Sequence, residues 1–195
     1  PATARPSPYE APEIYDVLFE SLDFDRAFWL EVGRGAGGPV LDLGCGTGRI
    51  LIPLLESGVD GDGVDLHPRM LERLRANLVR LRLAGTGARV VAGDAGVPAA
   101  WWDGRTFDRI LADVPCTASG VVRRHPDGKW LRRESDIAAF ARQQSRILDA
   151  LWSCLARGGL LLYATCSVFE PENEGQVAAF LARHAGSSEI WTARG

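Results

Sequence analysis

The sequence predicts an α/β fold, a three-layer αβα sandwich around a mostly parallel sheet. Short apolar runs at Val40 to Leu43, Gly61 to Val64, Val90 to Ala92, Ile110 to Ala112 and Leu160 to Tyr163 alternate with stretches of helical periodicity. The first run passes directly into a glycine-rich turn, Gly44-Cys-Gly-Thr-Gly48, and acids follow successive runs at Asp65, Asp94 and Asp113, with Asp42 inside the first. Buried strands joined by helices form right-handed crossovers, so a ligand is expected beyond the carboxyl ends of the strands.

The chain has 195 residues, 46% of them hydrophobic and 24% charged, a size that fits one domain of roughly 100 to 200 residues. Within 1–195, positions 1–37 read as a helical lead and 38–195 as the core. Ile14, Val17, Leu18, Leu22, Phe24, Phe28 and Trp29 have mixed helical spacing, ended by Gly33 to Gly38. Pro68 to Leu83 places Leu71, Leu74, Leu78 and Leu81 on one face, with Pro68 in the first turn where it is tolerated. Ser135 to Arg157 reads as a long helix, capped by Ser135 and stopped by Gly158-Gly159. Pro171 to Arg183 reads as a last helix, and Glu189 to Trp191 as a short strand. The long loop, Val114 to Glu134, has the length of a functional segment.

No apolar run approaches the ~18 residues that cross a bilayer, and the Pro-rich start lacks a hydrophobic signal core. The expectation is a soluble, cytoplasmic protein with no membrane partner. The four cysteines contain no C-x-x-C pair, so neither a zinc site nor a disulfide framework is encoded locally. A net charge of -3 argues against a globally basic wrapper of nucleic acid, although charge is concentrated in the long loop.

The glycine turn lets backbone amides approach a nucleotide. Asp65 lies 21 residues beyond Gly44, the spacing that reaches ribose hydroxyls, while Arg49 stands where a dinucleotide site would have its third glycine. Asp42-Leu-Gly-Cys-Gly-Thr-Gly48, with Val64-Asp-Leu66, resembles the S-adenosylmethionine site of the Rossmann-like class I methyltransferases. The resemblance implies that Asp42, Leu43, Gly44, Cys45, Gly46, Thr47 and Gly48 surround the methionine part, that Asp65 and Leu66 hold the ribose, and that Asp94 in Gly93-Asp94-Ala95 contacts adenine. S-adenosylhomocysteine would be the product.

Cys116 and Cys166 each follow an apolar run, and neighbouring fourth and fifth strands would bring them together on the same rim. Carbon 5 of cytosine is a poor nucleophile until another nucleophile adds at carbon 6, and a thiolate suits that task. Asp113-Val-Pro-Cys116 and Ala164-Thr-Cys-Ser167 resemble motifs of the RNA 5-methylcytosine methyltransferases. From about Glu72 to Ala185 the chain resembles the bacterial RsmB (Sun/Fmu) ribosomal RNA family. That likeness implies Cys166 as nucleophile, Cys116 as the residue assisting release, and Asp113 at the target base or the methionine end of the cofactor. Beside a pyrimidine, a carboxyl group at Asp113 can hydrogen-bond its polar edge. Cys45 and Cys154 read as small buried hydrophobes without a catalytic role.

Arg123, Arg124, Lys129, Arg132 and Arg133 fall within eleven residues, with His125 and Trp130 interleaved, a composition suited to gripping phosphates and stacking a base. RNA, ribosomal by the resemblance, is the expected partner, with its cytosine unpaired or flipped out. The segment from Tyr9 to Met70 instead resembles methyltransferases acting on small molecules, so the chain reads as a splice of two subfamilies. A small-molecule methyltransferase and an inactive cofactor-binding scaffold are therefore the alternatives. The RsmB resemblance further implies that the C-terminal hairpin is incomplete, leaving an open sheet edge through which copies could associate.

Overall fold

The computed structural model describes residues 11–19, 25–123, 126 and 128–188. Its centre is a five-stranded, wholly parallel sheet in the order β3-β2-β1-β4-β5. The strands are β1 (Val40–Leu43), β2 (Gly61–Asp65), β3 (Val90–Ala92), β4 (Phe107–Asp113) and β5 (Leu155–Ala164). All five predicted runs are strands, and β1 is buried along its whole length, as a central parallel strand covered on both faces must be. Among the described residues no helix is long and apolar enough to cross a membrane.

The helices are α1 (Pro12–Phe19), α2 (Arg26–Arg34), α3 (Leu51–Glu56), α4 (Pro68–Arg80), α5 (Gly128–Leu131), α6 (Glu134–Trp152) and α7 (Glu174–Arg183). Two apolar clusters make the layers. Leu51 and Leu55 of α3 and Leu71, Leu74 and Leu78 of α4 pack with Cys45 in one. Ile147 and Leu151 of α6 pack with Leu41, Leu43, Phe107, Ile110 and Cys154 in the other. Each fully buried leucine of this kind contributes roughly 1.5–3 kcal/mol.

Besides α4, which ends at Arg80 rather than Leu83, three boundaries depart from the sequence reading. The long helix starts at Glu134, because Asp136 Oδ2 accepts the Arg133 backbone N–H at 2.9 Å and caps the helix from within. Ser135 therefore lies inside the first turn. The helix ends at Trp152, and Gly158-Gly159 belongs to β5, whose register against β4 jumps from Phe107↔Leu155 to Arg109↔Leu160. The positive φ of Gly158, 77°, accommodates that bulge. The last helix begins at Glu174, preceded by a 3₁₀ turn over Glu170–Glu172 that turns Glu172 inward. The predicted strand Glu189 to Trp191 lies outside the described residues, as do Leu22 and Phe24.

β1 pairs with β2 on one side and β4 on the other, so the chain reverses its winding between β1 and β4. A crevice opens at such a reversal, beyond the carboxyl ends of the strands. The glycine turn after β1 and the Asp113 end of β4 meet there.

Candidate active site

The glycine turn is bent by three residues with positive φ: Gly44 at 73°, Gly46 at 54° and Gly48 at 99°. Gly48 has no alternative, since a Cβ there would lie 2.5 Å from Leu74 Cδ1 and 2.7 Å from Ile52 Cδ1. Asp65 at the end of β2 braces the turn. Its Oδ2 accepts the Gly46 N–H at 2.9 Å and its Oδ1 the His67 N–H at 2.7 Å. Each carboxylate oxygen has a second lone pair, so Asp65 retains acceptor capacity toward hydroxyl groups. Beside it the Leu66 side chain is exposed.

Asp42 is buried beneath the turn with Thr47, and its Oδ2 has no hydrogen-bond partner among the described residues. Burial, reinforced by the nearby charges of Asp113 and Asp65 and opposed by Arg49, pushes the Asp42 carboxyl up to about 7. Asp113 is also raised, chiefly by desolvation. Three acids thus converge at the crevice. The glycine bends, the unpartnered oxygen of Asp42 and the spare acceptors of Asp65 fit a nucleotide cofactor carrying a cationic end. Asp94 lies further along the rim, where it accepts the Gly96 N–H at 2.8 Å and pairs with Arg146 at 2.9 Å. Arg49, in the turn, makes a bidentate pair with Asp25 at 2.7 and 2.8 Å and ties α2 to the site.

Cys45 points into the packing between β2 and α3, where a Cβ on Gly63 would come 2.8 Å from its sulfur. Burial pushes its thiol well up, and Cys154 is likewise buried and raised, so both have the inert character expected of them.

The other two cysteines meet. Cys116 Sγ and Cys166 Sγ lie 3.4 Å apart, across 50 residues of sequence, with Cys116 buried and Cys166 exposed. The β4–β5 ladder ends at Asp113↔Ala164, so both cysteines emerge just past the last pair, next to Asp113. The hydrogen bond between the two sulfurs holds the Cys116 thiol down to about 7 against the effect of burial. Cys166 is raised, first by the same hydrogen bond, then by burial and by the charges of Cys116 and Asp113. The contact therefore favours a pair that holds a single proton between its two sulfurs.

These geometries set the comparisons in context. Residues 41–193 match the family described as 16S rRNA methyltransferase RsmB/F. The chain belongs to that family. The match takes in the glycine turn as well as both cysteines. The ribosomal RNA small subunit methyltransferase B of Vibrio cholerae is 49% identical over 150 residues, covering 76% of this chain and 34% of that protein. Its counterpart in Pseudomonas syringae is 48% identical over 157 residues, covering 79% and 34%. The chain thus spans about a third of the length of these curated relatives. Among solved structures, NSun6 from Pyrococcus horikoshii is 25% identical with a TM-score of 0.63, over 85% of this chain and 45% of that one.

Within this RsmB/F family member the basic loop divides. Arg123, Lys129 and Arg133 are exposed, and Trp130 is 78% exposed with the Lys129 ammonium 5.2 Å from its ring centre. Arg132 is engaged: its Nε–H donates to the Thr117 carbonyl at 3.0 Å and its guanidinium lies 5.2 Å from the Phe140 ring centre. Arg124 and His125 lie outside the described residues.

Sequence reasoning missed Glu172. Its carboxylate, fully buried, accepts hydrogen bonds from Thr117 and Ser167, the residues that follow the two cysteines. The only signal was an acid beside Pro171 in a segment read as the start of the last helix.

Proposed function

We propose that this chain is the catalytic part of an RNA cytosine-5 methyltransferase that uses S-adenosylmethionine, with a ribosomal RNA as its substrate. The observation that carries the reading is the 3.4 Å contact between Cys116 and Cys166 at the rim next to the glycine turn. Membership of the RsmB/F family supports the choice of RNA, and the NSun6 neighbour, solved with SFG, supports a nucleoside ligand in the crevice.

S-adenosylmethionine supplies an electrophilic methyl group on a positively charged sulfur. The residues from Asp42 to Gly48 hold its methionine end, Asp65 and Leu66 its ribose, and Asp94 its adenine. The proton of the pair moves to Cys116 and on to solvent as the Cys166 sulfur adds to carbon 6 of cytosine, which moves electron density onto carbon 5 for the methyl group to receive. Asp113, its carboxyl raised by desolvation, hydrogen-bonds the polar edge of the base and stabilises the adduct. Cys116 then takes the carbon 5 proton, the ring double bond reforms, and the bond between Cys166 sulfur and carbon 6 breaks. Transfer of the proton from Cys116 to Cys166 across their contact restores the starting pair, with one proton released per methyl transferred.

Arg123, Arg124, Lys129 and Arg133 grip the RNA backbone while Trp130 offers a stacking face. Arg132 holds the loop to the Cys116 segment. The target must be unpaired or flipped out, since carbon 6 is inaccessible within a stack. Self-association through the outer edge of β5 is a further expectation, read out by sedimentation.

The test is a denaturing gel of Cys116→Ser and Cys166→Ser incubated with 16S rRNA transcript and cofactor. Cys116→Ser should accumulate a covalent RNA adduct, whereas Cys166→Ser should form none. No adduct with either variant, with calorimetry showing S-adenosylhomocysteine bound, would falsify the assigned roles. Absence of calorimetric heat would instead favour a structural glycine turn.

A further inference from the structure

Glu172 ends the 3₁₀ turn that precedes α7, and its carboxylate is turned into the protein and is 0% exposed. Four donors converge on it. Oε1 accepts the Thr117 backbone N–H at 2.9 Å and Gln144 Nε2–H at 3.2 Å; Oε2 accepts the Thr117 hydroxyl and the Ser167 hydroxyl, both at 2.6 Å. Gln144 also donates to the Pro115 carbonyl at 2.9 Å, so the residues on both sides of Cys116 are bound to this cluster. Across the same gap, Gly120 N–H donates to the Cys166 carbonyl at 2.8 Å and Val168 N–H to Ser119 Oγ at 2.9 Å. The Tyr163 hydroxyl donates to the Glu172 carbonyl at 2.7 Å, anchoring the turn to β5.

Burying a carboxylate is costly unless its oxygens are saturated with hydrogen bonds, and short bonds to an ionised acceptor are the strong ones. An acceptor-only group also forces every donor to point inward, which makes it a rigid joint between segments that share no ladder bonds beyond Asp113 and Ala164. A hydrophobic residue could fill the space but could not join the two loops.

We propose that Glu172 is the positioning residue of the sulfur pair, clamping Thr117 through its N–H and hydroxyl and Ser167 through its hydroxyl so that Cys116 and Cys166 stay in contact. The proposal rests on the reading of the pair as a methyl-transfer site, but its central measurement needs neither RNA nor cofactor, so the two can fail separately.

The ionisable groups bearing on Cys116 are Cys166, whose hydrogen bond is the largest influence, Glu172, whose charge is a minor opposing one, and Tyr163, which is raised by burial and by these charges. The experiment is the pH profile of iodoacetamide alkylation at Cys116, read by mass spectrometry on the protein alone. The native midpoint is expected near 7. In Glu172→Gln the two hydroxyls lose their shared anion, the loops relax, and the midpoint moves up toward the ordinary thiol value of ~8.5, slowing alkylation at pH 7 about tenfold. Ser167→Ala, which removes one donor, moves it in the same direction by less.

A purely electrostatic role for Glu172 has the opposite sign: removing its negative charge lowers the midpoint. A midpoint that falls or stays near 7 in Glu172→Gln overturns the proposal, and if that variant does not fold, an unmoved midpoint in Ser167→Ala does so. With 16S rRNA transcript, the same variants are expected to lose kcat at unchanged KM.

Discussion

Arg132 donates its Nε–H to the backbone carbonyl of Thr117 at 3.0 Å, which attaches the basic loop to the residue following Cys116. Arg132 thus links the basic loop to the segment that carries Cys116. The side chains of Arg123, Lys129 and Arg133 are exposed, which suits them to the phosphate contacts proposed above.

That division predicts different outcomes for neutralising each cation. Arg123→Gln, Lys129→Gln and Arg133→Gln should each weaken RNA binding similarly across sequences and reduce the slope of log affinity against log salt by about 0.7 to 1. Arg132→Gln should lower methyl transfer beyond its effect on binding. Filter binding at several salt concentrations, combined with single-turnover rates, distinguishes them; an Arg132 variant impaired only in affinity would refute that linking role.

Asp42 predicts a pH-dependent stability with a definite sign. Its folded-state carboxyl titrates near 7 while the unfolded chain titrates near 3.8, so the folded protein binds the extra proton between those values. Stability therefore falls as pH rises through that window and is lowest above it. Asp42→Asn should stabilise the unliganded protein at pH 8, on the order of a few kcal/mol, and have little effect at pH 3.5. Urea unfolding at the two pH values decides; equal gains at both would exclude Asp42 as the source.

Asp25 shows the reverse sign. Its carboxyl is held below the usual range, first by the hydrogen bonds from Arg49, so the pair contributes stability above the unfolded carboxylate value and loses it as pH falls through the folded one. A double-mutant cycle of Asp25→Ala and Arg49→Ala should give a coupling of about 1 kcal/mol at pH 7 that shrinks as pH falls below the ordinary carboxylate range. A coupling that persists in acid would mean that the contact acts through packing.

Two glycines with similar backbone conformations predict unlike substitution costs. Gly58 has φ 83° with nothing within 4 Å of a built Cβ, while Gly48 has φ 99° and collides with Leu74 and Ile52. Gly58→Ala should cost about 1 kcal/mol from backbone strain alone. Gly48→Ala should cost roughly 3 kcal/mol or more and abolish binding of S-adenosylhomocysteine. Thermal unfolding with and without that ligand provides the comparison.

The β-runs, the amphipathic face of Leu71, Leu74 and Leu78, and the bends at Gly44 to Gly48 were legible from the chain because burial and backbone strain are imposed residue by residue. A parallel strand has to be apolar on both faces, and only glycine tolerates those φ values. The positions of Cys116 and Cys166 at neighbouring strand ends followed from strand order. Less legible were the helix start at Glu134, where Asp136 outcompeted Ser135 as cap, and the absorption of Gly158-Gly159 into β5, which required the partner strand β4.

By itself, then, the sequence determined the layers, the crevice and which residues reach its rim, since periodicity and turn chemistry are local. Tertiary structure alone decided that the two sulfurs touch, that Arg132 is captured by Thr117, and that Glu172 is buried between two loops. Each of these depends on which donor meets which acceptor across 15 to 55 residues of chain, and a hydrogen bond's partner is chosen by distance and direction in space, to which neighbours in sequence give no guide.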